Sequence, residues 1–231
     1  MIIRSFFFNV LSFLFIFLCV LLGQLVPRRY IFKFWRFLSR GLSFISKKIA
    51  GITYTVENRE NILNVPAIYA IRHESTWETL VLIQLFREPI FVLKKELLHI
   101  PLFGRLAKKA KTIAIDRENG AHAMIMALKS MQECIGDGHP VIVFPEGTRL
   151  ATGECTEIKR GIAFFYRKTN CAVVPIIHNA GKFWPRRGFL KRPGNITVRV
   201  MKPLEPGLDV DKFMECLTGV FHAEVEKLKH T

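Results

Sequence analysis

Hydrophobic positions follow three regimes along this chain. Residues 5–26, SFFFNVLSFLFIFLCVLLGQLV, run for 22 residues without a charged side chain, close to the ~20 residues a helix needs to cross a bilayer core. Residues 27–50 keep a helical period instead. Arg29, Lys33, Arg36, Arg40 and Lys47 share one stripe, and Ile31, Trp35, Leu38, Leu42, Ile45 and Ile49 share the opposite one. From about residue 51 the apolar positions break into short runs separated by polar turns and helical patterns.

The short runs at 67–71, 90–93, 112–115, 141–144, 173–177 and 196–201 are rich in β-branched residues and of strand length. Between them lie helical patterns at 76–86, 97–109, 159–168 and 210–229. A further one, GAHAMIMALKSMQECIGDG, has Ala121, Met124, Ile125, Leu128, Met131 and Ile135 on one face, and Gly136 and Gly138 close it. This alternation predicts an α/β fold: a mostly parallel central sheet flanked by helices, preceded by an N-terminal membrane-embedded or interfacial helix pair. Residues 1–50 are expected to form the membrane anchor and basic amphipathic helix, and residues 51–231 the α/β domain.

Charge sharpens the picture. The chain of 231 residues carries a formal net charge of +15, so its partners should be anionic. Residues 27–50 hold seven basic residues and no acidic one. Such a helix is expected to lie in the headgroup plane of an anionic membrane with its aromatic, apolar side toward lipid. Basic flanks are retained on the cytoplasmic side, and no small-x-small cleavage site follows the apolar run. The expectation is a retained anchor, with the rest of the chain at the cytoplasmic face of a bacterial inner membrane or its equivalent. The five cysteines are scattered without a Cys-x-x-Cys pair, which indicates neither a disulfide framework nor a zinc site.

In parallel α/β sheets ligands bind beyond the carboxyl ends of the strands. The residues following the predicted strands are Arg72-His73, Lys94-Lys95, Asp116-Arg117, PEGTR (145–149) and His178-Asn179. Basic residues dominate and two positions supply a histidine, the composition of an anion pocket with a proton-handling group. HESTWE (73–78), KKELLHIPLFG (94–104), FPEGTR (144–149) and VPIIHNAG (174–181) occur in that order. Together they resemble the sequence blocks of the glycerolipid acyltransferase family, and are most similar to its 1-acyl-sn-glycerol-3-phosphate (lysophosphatidate) acyltransferases.

The resemblance implies acyl transfer from a thioester donor, acyl-CoA or acyl carrier protein, to the sn-2 hydroxyl of lysophosphatidate, giving phosphatidate. It implies no cofactor beyond that co-substrate. Alternatives are another acceptor, such as a lyso-ornithine lipid or glycerol 3-phosphate, and a non-catalytic membrane-surface binding protein; nothing beyond basic charge supports a nucleic-acid partner. Acyl transfer needs a base for the hydroxyl proton and a carboxylate behind it. His73 is the expected base. Glu78, one turn into the following helix, is better placed than the adjacent Glu74 to reach the imidazole. The family usually carries aspartate there, so the longer glutamate side chain must fold back. Arg149 can fork two hydrogen bonds to a phosphate, and Gly147 lets backbone approach a ligand. The resemblance also places Glu146 in the glycerophosphate site, with Lys94 and Arg117 as further phosphate partners. His178 is read as structural. No His-Glu-x-x-His set occurs, so no metal is expected. The segment 181–195 mixes five basic residues with Phe183, Trp184 and Phe189, the pattern of an interfacial loop.

Overall fold

The computed structural model of the protein describes residues 1–116 and 119–229. Seven strands form one sheet: β1 (Ile52–Glu57), β2 (Ile68–Ile71), β3 (Ile90–Lys94), β4 (Ile113–Ile115), β5 (Val141–Val143), β6 (Val173–His178) and β7 (Gly194–Val200), in the spatial order β1-β7-β6-β2-β5-β3-β4. The five strands from β6 to β4 are mutually parallel. β7 runs antiparallel to β6 and carries β1 parallel to itself at the edge. The pattern reading missed β1: ITYTVE buries only alternate residues, as an edge strand with one wet face does.

Period-two alternation sorts β2 between two cores. Ile68 and Ala70 pack toward α5 (Gly120–Gly136), α6 (Gly161–Thr169) and α8 (Val210–Lys229), meeting Met131, Phe165, Phe213, Leu217 and Phe221. Tyr69 and Ile71 face the other side, against Trp77 and Val81 of α3 (Trp77–Val81) and Phe183 of α7 (Ala180–Phe183). With both faces covered, the central strands are apolar throughout rather than alternating. The helical pattern at 97–109 splits at Pro101 into a 3₁₀ turn (Lys95–His99) and α4 (Phe103–Lys109). Gly104 is required at that break, because a Cβ there would stand 1.9 Å from the Leu98 carbonyl oxygen.

The N-terminal residues form α1 (Ile2–Gly23) and α2 (Ile31–Ile45), the latter extended by a π-helical turn (Ser46–Ala50). The chain then reverses at Gly51, whose φ of 69° suits glycine. α1 is long and apolar enough to cross a membrane, yet it lies along the body. Its buried positions, Ser5, Phe8, Ser12, Cys19 and Gly23, are three, four or seven residues apart and so share one face. Near its start, Asn9 donates to the Phe189 carbonyl at 2.8 Å. At its far end Gln24 donates to Leu102, and the Lys109 ammonium donates to the carbonyls of Gly23, Gln24 and Val26. The opposite face, with Phe7, Leu11, Leu14, Phe17, Leu18 and Leu21, is bare.

α2 departs from its expected orientation. Ile31 and Leu42, from the apolar stripe, are fully buried. Ser39 donates to Val81, and the Arg36 guanidinium donates to the Phe86 carbonyl. The stripe is therefore used against the protein rather than offered to lipid. Arg40, Lys47 and Lys48 remain exposed beside Phe37 and Phe44.

Candidate active site

β2 delivers Arg72 and His73 to the carboxyl edge of the sheet. The Arg72 amide still donates to Ile176 in the ladder at 2.9 Å; beyond it the chain turns sharply into α3. Ser75 fixes that turn. Its hydroxyl accepts from the Trp77 amide at 3.0 Å and donates to the Trp184 carbonyl at 2.6 Å. Trp77 is buried between Tyr54 and His178 and anchors the helix start.

Glu78 folds back over this turn, and its longer side chain reaches what it has to. Oε1 lies 2.7 Å from His73 Nδ1 and accepts from the amides of Glu74 (3.0 Å) and Ser75 (2.8 Å). Oε2 accepts from the Ser75 amide as well, at 3.1 Å. An ionised carboxylate in this setting requires the proton of His73 on Nδ1, which leaves Nε2 as the free lone pair. No described protein group bonds that nitrogen. The imidazole stacks on Phe144, with centroids 4.1 Å apart, and its side chain is only 15% exposed.

Burial, with the guanidiniums of Arg149 and Arg186 nearby, lowers the His73 pKa to about 3. Burial raises Glu78 to about 7, although His178 and the Ser75 amide pull it down. The imidazole is thus held neutral and ready to take a proton. Once it does, the ionised carboxylate 2.7 Å away stabilises the imidazolium.

His178 stands behind this pair. Its Nε2 bonds the Arg72 carbonyl at 2.8 Å and its Nδ1 accepts from the Ala180 amide at 3.2 Å. A carbonyl only accepts and an amide only donates, so the ring is the neutral Nε2–H tautomer. Burial accordingly lowers its pKa to about 4. It packs Trp77 and approaches Glu78 Oε2 at 4.0 Å without reaching solvent.

Arg72 is the group that sequence reasoning passed over. It is 2% exposed, and its Nε donates to Glu74 at 2.6 Å while one Nη donates to Glu146 at 3.2 Å. Its other Nη donates to the carbonyls of Ala151 and Glu154. Alternation along β2 carries the signal for this, since Arg72 follows Ile68 and Ala70 on the inward face. Glu74 accepts from the Gly181 amide, so Arg72 and Glu74 tie the end of β2 to α7. Glu146 accepts from the His73 amide at 2.8 Å. Both Glu146 oxygens are therefore spent inside the protein, Oε2 on the His73 amide and Oε1 on the Arg72 guanidinium. Burial raises the Glu146 pKa to about 8, against the pull of Arg72.

Gly147, with φ 72°, closes the turn by donating to Phe144. Three residues on, Leu150 donates to the His73 carbonyl at 2.8 Å, which sets Arg149 beside His73. Arg149 Nε is buried without a hydrogen-bond partner, an expensive state for a charged donor unless a ligand occupies it. The structure thus brings together His73, Glu78, Glu146, Gly147 and Arg149. Lys94 lies exposed at the carboxyl end of β3, beyond β5 from His73, on the same edge of the sheet. Arg117 falls outside the described residues. Arg186, from the basic aromatic segment, was not singled out by sequence; its Nη1 donates to the Arg149 carbonyl at 2.8 Å.

A histidine–carboxylate pair thus stands at a strand end beside an arginine whose buried Nε has no hydrogen-bond partner. The profile of the family described as Acyltransferase matches residues 53–179, and the chain belongs to that family. A 1-acyl-sn-glycerol-3-phosphate acyltransferase of Pseudomonas aeruginosa is 40% identical over 155 residues, covering 67% of this chain and 60% of that protein. The Saccharomyces cerevisiae protein of the same name is 27% identical over 218 residues, covering 92% of this chain and 70% of its own. The Cocos nucifera protein is 30% identical over 159 residues, covering 68% and 51%. The chain thus spans between half and 60% of the first two bacterial and plant relatives. The crystal structure of the 1-acyl-sn-glycerophosphate acyltransferase PlsC from Thermotoga maritima superposes with a TM-score of 0.78 at 19% identity, covering 99% of this chain and 96% of that one. That likeness establishes the shared fold.

Proposed function

We propose that the protein transfers a fatty acyl group from a thioester donor, acyl-CoA or acyl carrier protein, to the sn-2 hydroxyl of lysophosphatidate. His73 Nε2 takes the hydroxyl proton as the oxygen attacks the thioester carbonyl. Collapse of the tetrahedral adduct breaks the C–S bond, and the same nitrogen returns the proton to the departing thiolate. Glu78 holds the imidazole in the required tautomer and carries the counter-charge. Arg149 receives the acceptor's phosphate. The products are phosphatidate and the free thiol, with no acyl group passing through the enzyme.

The observation that carries this reading is the 2.7 Å bond between His73 Nδ1 and Glu78 beside a buried Arg149 Nε that no protein atom satisfies. The bare apolar face of α1, together with the exposed Arg40, Lys47 and Lys48 that follow it in the chain, supports attachment to an anionic membrane surface. Because both ends of α1 are bonded to the body, we favour a helix lying within one face of the bilayer. Residues 1–50 then act as the membrane platform and residues 51–231 as the catalytic domain, on the cytoplasmic side.

Labelled acyl transfer to lysophosphatidate, glycerol 3-phosphate and lyso-ornithine lipid tests the reading with each donor. Turnover on lysophosphatidate that falls roughly 10²–10⁴-fold in His73→Ala, with liposome binding intact, is the expected result. Robust transfer only to another acceptor, or none with any, overturns it.

A further inference from the structure

Arg149 and Arg186 lie close together, and the carboxylate whose charge opposes that of Arg149, Glu78, is already bonded to His73. The two arginines are joined through the Arg149 carbonyl, which accepts from Arg186 Nη1 at 2.8 Å. Both charges act on His73, and that of Arg186 acts on Arg149. Among the described residues neither guanidinium forms an ion pair; of the buried carboxylates nearby, Glu74 and Glu146 are engaged by Arg72, and Glu78, whose charge reaches Arg149, is bonded to His73 and the turn amides. Two like charges held this close repel unless an anion sits between them. The unpartnered buried Nε of Arg149 marks where that anion belongs.

Arg186 is exposed, but its loop is held on both sides. The Trp184 carbonyl accepts from Ser75 in the catalytic turn, and the Trp184 ring meets Phe8 of α1 edge-on at 4.8 Å. Further along, the Lys191 amide donates to the Ser5 hydroxyl at 2.9 Å, and Asn9 holds Phe189. The Lys191 ammonium is folded inward onto the carbonyls of Gly188 and Phe189. Arg186 is thus carried on a bridge between the base and the membrane-facing helix.

We infer that Arg186 is a specificity-determining residue, which with Arg149 forms a two-guanidinium clamp for a phosphomonoester headgroup on the acceptor. A phosphomonoester carries about −1.5 to −2 charges at neutral pH and matches two cations. A phosphodiester or an uncharged headgroup leaves one or both unneutralised. The inference rests on the acyl-transfer reading above, and extends it by assigning the acceptor's charge selection to a residue outside the four sequence blocks.

The test compares wild type, Arg186→Ala and Arg186→Lys on lysophosphatidate and on the same monoacylglycerol lacking phosphate. Arg186→Ala should raise KM for lysophosphatidate roughly 10- to 100-fold, the loss of one charge-assisted hydrogen bond, with kcat within a few-fold. KM for the uncharged acceptor should stay within a few-fold, and lysine should restore part of the KM for lysophosphatidate. An unchanged KM, or an equal loss on both acceptors, overturns the inference. Wild type inactive on every acceptor would instead overturn the acyl-transfer reading itself. Should the alanine variant turn over too slowly to fit, thermal protection by sn-glycerol 3-phosphate decides: protection in wild type and none in the variant supports the clamp, and equal protection refutes it.

Discussion

Replacing Glu78 with glutamine isolates the charge behind the base. The amide keeps the shape of the side chain, and its oxygen can still accept from the Glu74 and Ser75 amides that now bond Oε1. What disappears is the negative charge 2.7 Å from His73 Nδ1 at the moment the ring becomes an imidazolium. Two unit charges about 4 Å apart at an effective dielectric of ~20 attract by about 4 kcal/mol, or nearly three decades in rate at ~1.4 kcal/mol per decade. Part is retained by the amide dipole, so kcat should fall roughly 10²–10³-fold with KM for lysophosphatidate nearly unchanged. The pH profile adds an independent reading. Glu78 is raised to about 7 and His73 lowered to about 3, so as pH falls through 7 the carboxylate protonates while the imidazole stays neutral. The acid limb of kcat/KM in the wild type should therefore fall near pH 7 and be absent from Glu78→Gln. A limb set by the acceptor's phosphate would persist in both. Thiol release followed across pH 5–9 in detergent measures this. A variant within threefold of wild-type kcat, or one keeping the limb near 7, refutes a charge-bearing role for Glu78.

Two further outcomes follow from the framework around the site. Arg72→Met strands Glu74 and Glu146 without their shared cation, a change that costs about 3–5 kcal/mol when a buried pair is broken. In chemical unfolding the deficit should be larger at pH 8 than at pH 5, because Glu146, which burial raises to about 8, is protonated at the lower pH; a deficit below about 1 kcal/mol at pH 8 would contradict the assigned bonds. On α1, Leu14→Asn with Phe17→Asn removes two exposed apolar side chains worth about 1.5–3 kcal/mol each when buried. Co-sedimentation with anionic liposomes should weaken by at least tenfold while thermal stability holds, and unchanged partitioning would mean that this face is not the one against lipid.

Much of the molecule was readable in order. Six of seven strands, the long helices and the sheet's carboxyl edge all follow from runs of local composition, because a strand buried on both faces must be apolar and a helix must repeat its apolar side. The pair His73 and Glu78 was legible for the same reason: five residues separate them across one tight turn. The folded-back glutamate was anticipated too, since a longer side chain can meet a fixed target only by bending.

What local pattern could not fix was the direction in which each side chain spends its bonds. FPEGTR reads as a single binding loop, yet its glutamate turns inward to the His73 amide and Arg72 while its arginine keeps a free nitrogen. The stripe on α2 reads as lipid-facing, yet Ile31 and Leu42 close onto the body. Arg186 lies 37 residues beyond Arg149 and shares no local pattern with it. Short-range periodicity and charge were enough to give most of the elements, the His73–Glu78 turn and the cationic character of its surroundings. The folded chain alone reveals which carboxylates are consumed in holding the His73 turn, which apolar face of α1 is left bare, and that Arg186 reaches the Arg149 carbonyl, because those depend on contacts between segments that meet only when the chain closes.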